Sequence, residues 1–281
     1  MENTISFQGE LGSYSHQSCL DLYPTYEVRP CPTFESAIDS VNRGYSKLAM
    51  LPIENSTYGR LADIDSLLPS SGLHIIREYF LRVRISLLAL PESNLGDIKS
   101  AISHTVLLGQ CRSFLNTNNI KSITGPDTAG SAKKVSNMND LTIAALASDL
   151  AGKIYGLKTI ASDIEDMINN TTRFLVMSRN KILISEQIKK QNCMTTLVFE
   201  VRNLPAALYK ALGGFATNGI NMLKLESYMI GGSFTATQFY LDIEGHPDKP
   251  AVRRAIEELE YFTSTVKILG VYEKHPYRQK T

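Results

Sequence analysis

The chain changes its periodicity once, and that change bounds what it can fold into. From Thr4 to Ser178 short β-rich runs alternate with helical stretches. Arg179 to Asn192 loses all periodicity and gains Lys, Gln and Glu, and from Thr195 the order becomes β-α-β-β-α-β. Strands and helices alternating at short intervals build an α/β sheet with crossover helices, whereas the second order is ferredoxin-like. The 281 residues suffice for two such domains.

Within the first part, strands are expected at Thr4 to Gln8, Glu27 to Cys31 and Lys47 to Ile53. Ser13 or Ser15 offers an N-cap for a helix through Leu22, and Thr33 caps one with Phe34, Ile38 and Val41 on its apolar face. His74 to Leu90 is a long β-rich run. Alternation continues through Ile98 to His104, Leu107 to Asn116 and Ile120 to Thr124, with a helix from Thr128 to Val135. Ile143 to Leu150 fits strand or helix, and Leu157 to Ala161 and Thr172 to Ser178 close the domain as strands. After the break, Thr195 to Val201 is a strand and Pro205 opens a helix carrying Leu208, Leu212 and Phe215. Ile220 to Ile230 and Phe234 to Ile243 are strands joined by a hairpin at Gly231-Gly232. Asp248 and Pro250 start a helix, and Val266 to Val271 ends the module.

Charge narrows the partners. A net charge of +1 with both signs interspersed gives no footprint for nucleic acid. No apolar stretch approaches the ~20 residues of a membrane span, and the N-terminus has no basic and apolar leader. Cys19, Cys31, Cys111 and Cys193 are far apart, as are the five histidines, so reduced thiols, a cytoplasmic setting and no metal site are expected.

Asn169-Asn170-Thr171-Thr172-Arg173 places amides, hydroxyls and a cation directly before the apolar run Phe174 to Met177. Polar groups leading into a buried strand are costly unless paired or bound to something. Three further segments, Gly9 to His16, Pro52 to Thr57 and Asp127 to Gly130, put short polar residues at expected helix entrances. Free N–H groups there suit a carboxylate or a phosphate. GxGxxG, GxxxxGK[ST] and GxSxG are all absent, so dinucleotide, P-loop and serine-hydrolase readings lack support. Glu54 fits a catalytic carboxylate or a structural partner for loop amides.

Gly9 through Ser15, Pro52-Ile53-Glu54-Asn55-Ser56, Gly109-Gln110-Cys111, Asp127-Thr128-Ala129 and Thr172-Arg173-Phe174 closely resemble the bacterial prephenate dehydratase pattern in order and spacing. The module from Thr195 is similar to the ACT domain of that family, and the likeness runs from about residue 4 to 275. The resemblance implies an α/β chain: a two-lobed periplasmic-binding-protein-like (type II) catalytic domain, then a ferredoxin-like βαββαβ ACT domain. Its expected bounds are 1–180, with lobes 1–77 plus 163–180 and 83–157, a linker at 181–193, and the ACT domain at 194–281.

The implied reaction is decarboxylative dehydration of prephenate to phenylpyruvate in L-phenylalanine biosynthesis, with no cofactor. By this resemblance Thr172 polarises or protonates the leaving hydroxyl, and Arg173 either clamps a carboxylate or pairs with Glu54. Ser13, Tyr14, Ser15, Asn55, Ser56, Gln110, Thr128, Ala129, Asn170 and Phe174 are the implied substrate contacts, with Asn170 orienting Thr172. Arogenate dehydratase and a non-catalytic amino-acid-sensing binding protein are the alternatives.

In the module, the positions implied to bind a phenylalanine effector are Ala206, Ala207, Leu208, Asn218, Asn221, Glu226 and Ser227. Pro205-Ala206-Ala207-Leu208 replaces the family's Gly-Ala-Leu, and Glu226-Ser227-Tyr228-Met229 replaces Glu-Ser-Arg-Pro. Assembly through the ACT domains as a homodimer or homotetramer is expected, because a small α+β unit leaves a face or an edge uncovered.

Overall fold

In the computed structural model, the structure describes residues 3–60, 62–182, 184–185, 192–202, 204–229 and 236–279. The elements in chain order are β1 (Thr4–Gln8), α1 (Tyr14–Leu22), β2 (Glu27–Cys31), α2 (Phe34–Asn42), β3 (Leu48–Asn55), β4 (Gly59–Arg60), α3 (Ala62–Leu67), β5 (His74–Arg82) and β6 (Ser86–Ala89). There follow β7 (Ser100–Ser103), α4 (Thr105–Gln110), α5 (Arg112–Thr117), β8 (Lys121–Thr124), α6 (Thr128–Met138), β9 (Ile143–Ala147), α7 (Asp149–Tyr155) and β10 (Lys158–Ala161). The rest are β11 (Thr171–Ser178), β12 (Cys193–Val201), α8 (Ala207–Thr217), β13 (Met222–Met229), β14 (Ala236–Glu244), α9 (Pro250–Phe262) and β15 (Thr263–Glu273). The chain forms two compact units, Met1–Leu61 with Tyr79–Phe174, and Ala62–Glu78 with Leu175–Thr281.

The first unit has the mixed α/β, two-lobed architecture, with one sheet in each lobe. In one, β1 lies between β2 and β3 in parallel, with Ile5 opposite both Val28 and Leu48, and β11 follows β3. In the other the order is β10-β6-β9-β7-β8, where β6 runs antiparallel to its neighbours and β7 runs parallel to β8 and β9. Capping fixes the helix entrances. The Ser13 hydroxyl accepts from His16 N, Thr33 and Ser36 form a capping box, and Asp127 accepts from Gly130 N at 2.6 Å. Every residue of β11 is buried, from Thr171 to Ser178. Each aliphatic or aromatic side chain so covered contributes about 1.5–3 kcal/mol.

Several local expectations are corrected. The β-rich run His74 to Leu90 breaks into β5 and β6, because Val83 to Ile85 turn from hydrogen-bonding within a sheet to bracing the passage between lobes. There Val83 N donates to Asn170 O, Ile85 N to the buried Glu165 carboxylate, and Ile164 N to Ile85 O. The stretch Leu107 to Asn116 is two short helices broken at Cys111. Pro52 to Thr57 opens no helix: the chain turns back into β4, pairing Asn55 with Gly59. The hairpin expected at Gly231-Gly232 lies outside the described residues.

The second unit contains the β-α-β-β-α-β order, with an antiparallel sheet β13-β14-β12-β15. Leu208, Leu212 and Phe215 of α8 pack with Val252, Ile256 and Leu259 of α9 over Leu197, Phe199 and Leu241.

Candidate active site

A cavity of about 360 Å³ opens within the first unit, lined from both lobes. From one lobe come Gly9, Glu10, Ser13, Tyr14 and Ser15, then Pro52, Asn55 and Tyr58, and finally Asn170, Thr172 and Phe174. The other lobe adds Val106, Leu107, Gln110, Pro126, Asp127 and Thr128, with Val83 at the crossing and His104 at the start of α4. Most of the wall is carbon, which favours a ring or a chain, and the polar atoms are few and placed.

The polar cluster is wired in a way that fixes each amide. Backbone N–H groups of Thr57 and Tyr58 donate to Asn55 Oδ1 at 2.9 and 3.1 Å. Since those atoms can only donate, the other end of the Asn55 amide must be its NH₂. That Nδ2 donates to Asn170 Oδ1 at 2.8 Å and to Thr172 Oγ1 at 3.0 Å. Two consequences follow. Thr172 receives a hydrogen bond on its oxygen, so its own hydrogen stays available and is polarised for donation. Asn170, 1 % exposed, is left with a buried Nδ2 that has no partner.

Gln110 is the second such group, with its Oε1 buried and unpaired. An orphaned buried donor or acceptor costs about 1–3 kcal/mol. Asn170 and Gln110 both line the cavity, so a ligand with matching polar atoms would recover that cost.

The glycine-rich first loop is held from both sides. Gly12 adopts φ +90°, and a Cβ there would lie 2.7 Å from Ala151 Cα, so the backbone of α7 comes within reach only of a glycine. Ser148 Oγ donates to Gly12 O and the Tyr155 hydroxyl to Leu11 O. Gly12 N donates to Nδ1 of His16, whose ring stacks on Phe7 and whose pKa is lowered by burial. A neutral imidazole is the acceptor this bond requires.

The remaining expected residues separate into those at the cavity and those behind it. Ser13, Tyr14, Ser15, Asn55, Gln110, Thr128, Asn170, Thr172 and Phe174 line it. Burial, with the negative charges of Glu165 and Asp149 adding to it, raises the Tyr14 pKa well above its usual value. Its hydroxyl donates to Arg84 O, so it offers the cavity a ring. Ser56 braces the entry to β11 instead, donating to Asn169 O and accepting from Thr171 N. Ala129, in the first turn of α6, is fully buried. Arg173, 1 % exposed, donates to Glu54 at 2.9 Å, and neither side chain is part of the cavity wall. Burial pushes the Cys111 thiol up, so it stays protonated.

Sequence reading missed His104, Tyr58, Val83, Val106 and Pro126. His104 is the N-cap of α4 and Val106 lies in its first turn, ahead of the stretch expected from Leu107. The histidine one residue before a helix start was a signal, since its Nδ1 accepts from Val106 N. Val83 carries no local mark of a site at all.

In the second unit, Asn218 bonds Glu258 and Arg254, and Asn221 bonds Glu244. Ala206 caps α8 at φ +58°. Ala207 is buried, while Leu208 is partly covered by the α8–α9 core. Glu226 and Ser227 lie on β13.

Residues 5–182 match the family described as Prephenate dehydratase. A Komagataeibacter europaeus protein named bifunctional N-acyl-homoserine lactone acylase/prephenate dehydratase is 44% identical over 279 residues, covering 99% of each chain. Arogenate dehydratase/prephenate dehydratase 1 of Arabidopsis thaliana is 36% identical over 282 residues, covering 95% of this chain and 71% of that one. The solved structure of prephenate dehydratase from Arthrobacter aurescens in complex with L-Phe superposes with a TM-score of 0.87 at 28% identity, covering 96% of this chain and 90% of that one.

Proposed function

We propose the following roles on the premise that the chain belongs to the prephenate dehydratase family. The enzyme is a carbon–oxygen lyase of phenylalanine biosynthesis that converts prephenate to phenylpyruvate. The reaction takes up a proton and releases CO₂ and water. Decarboxylation feeds an electron pair into the ring as the ring hydroxyl leaves, and aromatisation drives both. Hydroxide is a poor leaving group, so the protein must supply a hydrogen-bond donor at that oxygen.

Thr172 is that donor. The observation that carries the reading is the Asn55 bond to Thr172 Oγ1, which leaves the threonine hydrogen free at the cavity wall. Asn170 Nδ2 donates to a substrate oxygen and Gln110 Oε1 accepts from a substrate hydroxyl, which pairs both orphans. N–H groups at the starts of α1 and α6, with Ser15 and Thr128, hold the carboxylates. Arg173 and Glu54 set the geometry of the strand end rather than touching substrate. Ser56 does the same at the entry to β11, and Tyr14 and Phe174 supply apolar wall. We place the catalytic domain at 1–180, the linker at 181–193 and the ACT domain at 194–281, assembling in the cytoplasm as a homodimer or homotetramer.

Phenylpyruvate formation from prephenate is the direct test, and a folded chain without it would sink the assignment. Two second readings use the same cavity. Relatives named arogenate dehydratase favour the transaminated substrate, so kcat/KM on both compounds ranks them. The acylase in the name of the 44% identical relative favours an N-acyl-homoserine lactone, whose chain the wall of Val83, Val106, Leu107 and Phe174 suits. Release of free homoserine lactone would establish that reading, and its absence would end it.

L-phenylalanine, present in the Arthrobacter aurescens complex, is the proposed effector at Ala206 to Leu208, Asn218, Asn221, Glu226 and Ser227. Titration calorimetry should show heat with phenylalanine, and turnover should fall. No heat and no inhibition at millimolar ligand would leave the module to assembly alone.

A further inference from the structure

We infer that Tyr58 is a positioning residue that latches the two lobes of the first unit together over the mouth of the cavity. The inference rests on the reading of that cavity as the prephenate site.

Tyr58 sits at the tip of the turn between β3 and β4. Its backbone is set by the Asn55 side chain, which accepts Tyr58 N–H, and by Gly59 at φ +77°, which returns the chain to pair with Asn55. From this tip the side chain leaves its own lobe. The hydroxyl donates to Val106 O of α4 at 3.0 Å, and the residue lines the cavity on the way. It nests beside Gly109, where an added Cβ would lie 2.9 Å from the Tyr58 oxygen. A glycine inside a helix normally weakens it. Here the missing Cβ is the space the tyrosine tip occupies.

The same turn holds Asn55 against Thr172, so the residue that orients the donor and the residue that reaches across the cleft are three positions apart on one tight turn. The cavity is walled by both lobes, so substrate is held best when the lobes keep the spacing at which both walls reach it. A latch between lobes strengthens that spacing with substrate aboard, whichever state of the substrate is bound. Its loss is therefore read in KM more than in kcat.

The test uses two substitutions that reach one contact from opposite lobes. Tyr58→Phe removes the hydroxyl and keeps the ring and the N–H on Asn55. Gly109→Ala leaves Tyr58 intact and displaces its tip, which is the free end of a side chain and moves without unfolding α4. Both should raise KM for prephenate about 3- to 10-fold, the worth of one neutral hydrogen bond, with kcat within about twofold of wild type. Gly109→Ala should match or exceed the wild-type melting temperature, because alanine favours the helix. A weaker KM beside an unharmed fold is what a merely structural role would not produce. Unmoved KM in both variants overturns the latch, as does a KM shift in Tyr58→Phe alone or a kcat loss at constant KM. An inactive wild-type chain would overturn the dehydratase reading and the latch with it, whereas an active wild type with unmoved variants overturns the latch only.

Discussion

Thr172→Val should fold, bind prephenate and lose about 10²- to 10⁴-fold in kcat, the range attributed to one positioned proton donor. Valine keeps the β-branched shape and so the strand preference of a residue inside β11. It removes the hydroxyl that Asn55 Nδ2 donates to, while the Asn55 bonds to Asn170 and to the turn at Thr57 and Tyr58 survive. The stability cost should therefore stay near the roughly 1–3 kcal/mol of one unpaired amide hydrogen. Ground-state binding depends on groups that valine does not touch, so KM should change little. Thr172→Ser restores a hydroxyl at the same Cβ and should recover much of the rate. Near-normal kcat in the valine variant would remove Thr172 from the chemistry, and a collapsed fold would be visible at once in the melting temperature.

Much of this site was legible because its parts are local. Thr4–Gln8 and Glu27–Cys31 take the bounds that alternation predicts. Ser13 caps α1 and Pro250 opens α9, as their residue types require. The polar cluster before β11 announced itself by conflicting with the buried run that follows it. What stayed hidden depends on contacts distant in sequence. Asn55 meets Thr172 across 117 positions and Tyr58 meets Val106 across 48, and no periodicity records either. The turn at Pro52 to Thr57 misled for a related reason. Asn, Ser and Thr cap helices and make tight turns with the same side-chain bond, and only the Asn55–Gly59 pairing tells the two apart. Arg173 and Glu54 show the limit from the other side. Both alternatives for the arginine were visible in the sequence, and the 2.9 Å pair between them is a fact of the fold.

Arg278→Met should destabilise the second unit by about 3–5 kcal/mol, the usual consequence of breaking a buried ion pair from one side. Arg278 grips Glu78 with Nε and Nη2 at 2.9 and 3.0 Å, and its Nη2 lies 3.7 Å from Asp242. Both carboxylates are fully buried at the side chain. His275 N–H also donates to Glu78, and the Asp242 carboxylate takes the Thr196 hydroxyl, which in turn meets Tyr272. Those hydrogen bonds orient the acids without neutralising them. Methionine fills the volume of the arginine stem but removes the cation that the two buried carboxylates share. For a unit of this size the loss corresponds to a fall in melting temperature of roughly 10 °C or more. Arg278→Lys should recover only part of it, since a point charge cannot take the two-pronged geometry on Glu78. The decisive comparison adds Glu78→Gln to Arg278→Met. With the Glu78 charge gone as well, the double variant should be more stable than the sum of the two single changes predicts. Strict additivity, or a single variant that melts like wild type, would show that the cluster sits in a wetter setting than its burial implies and carries no such load.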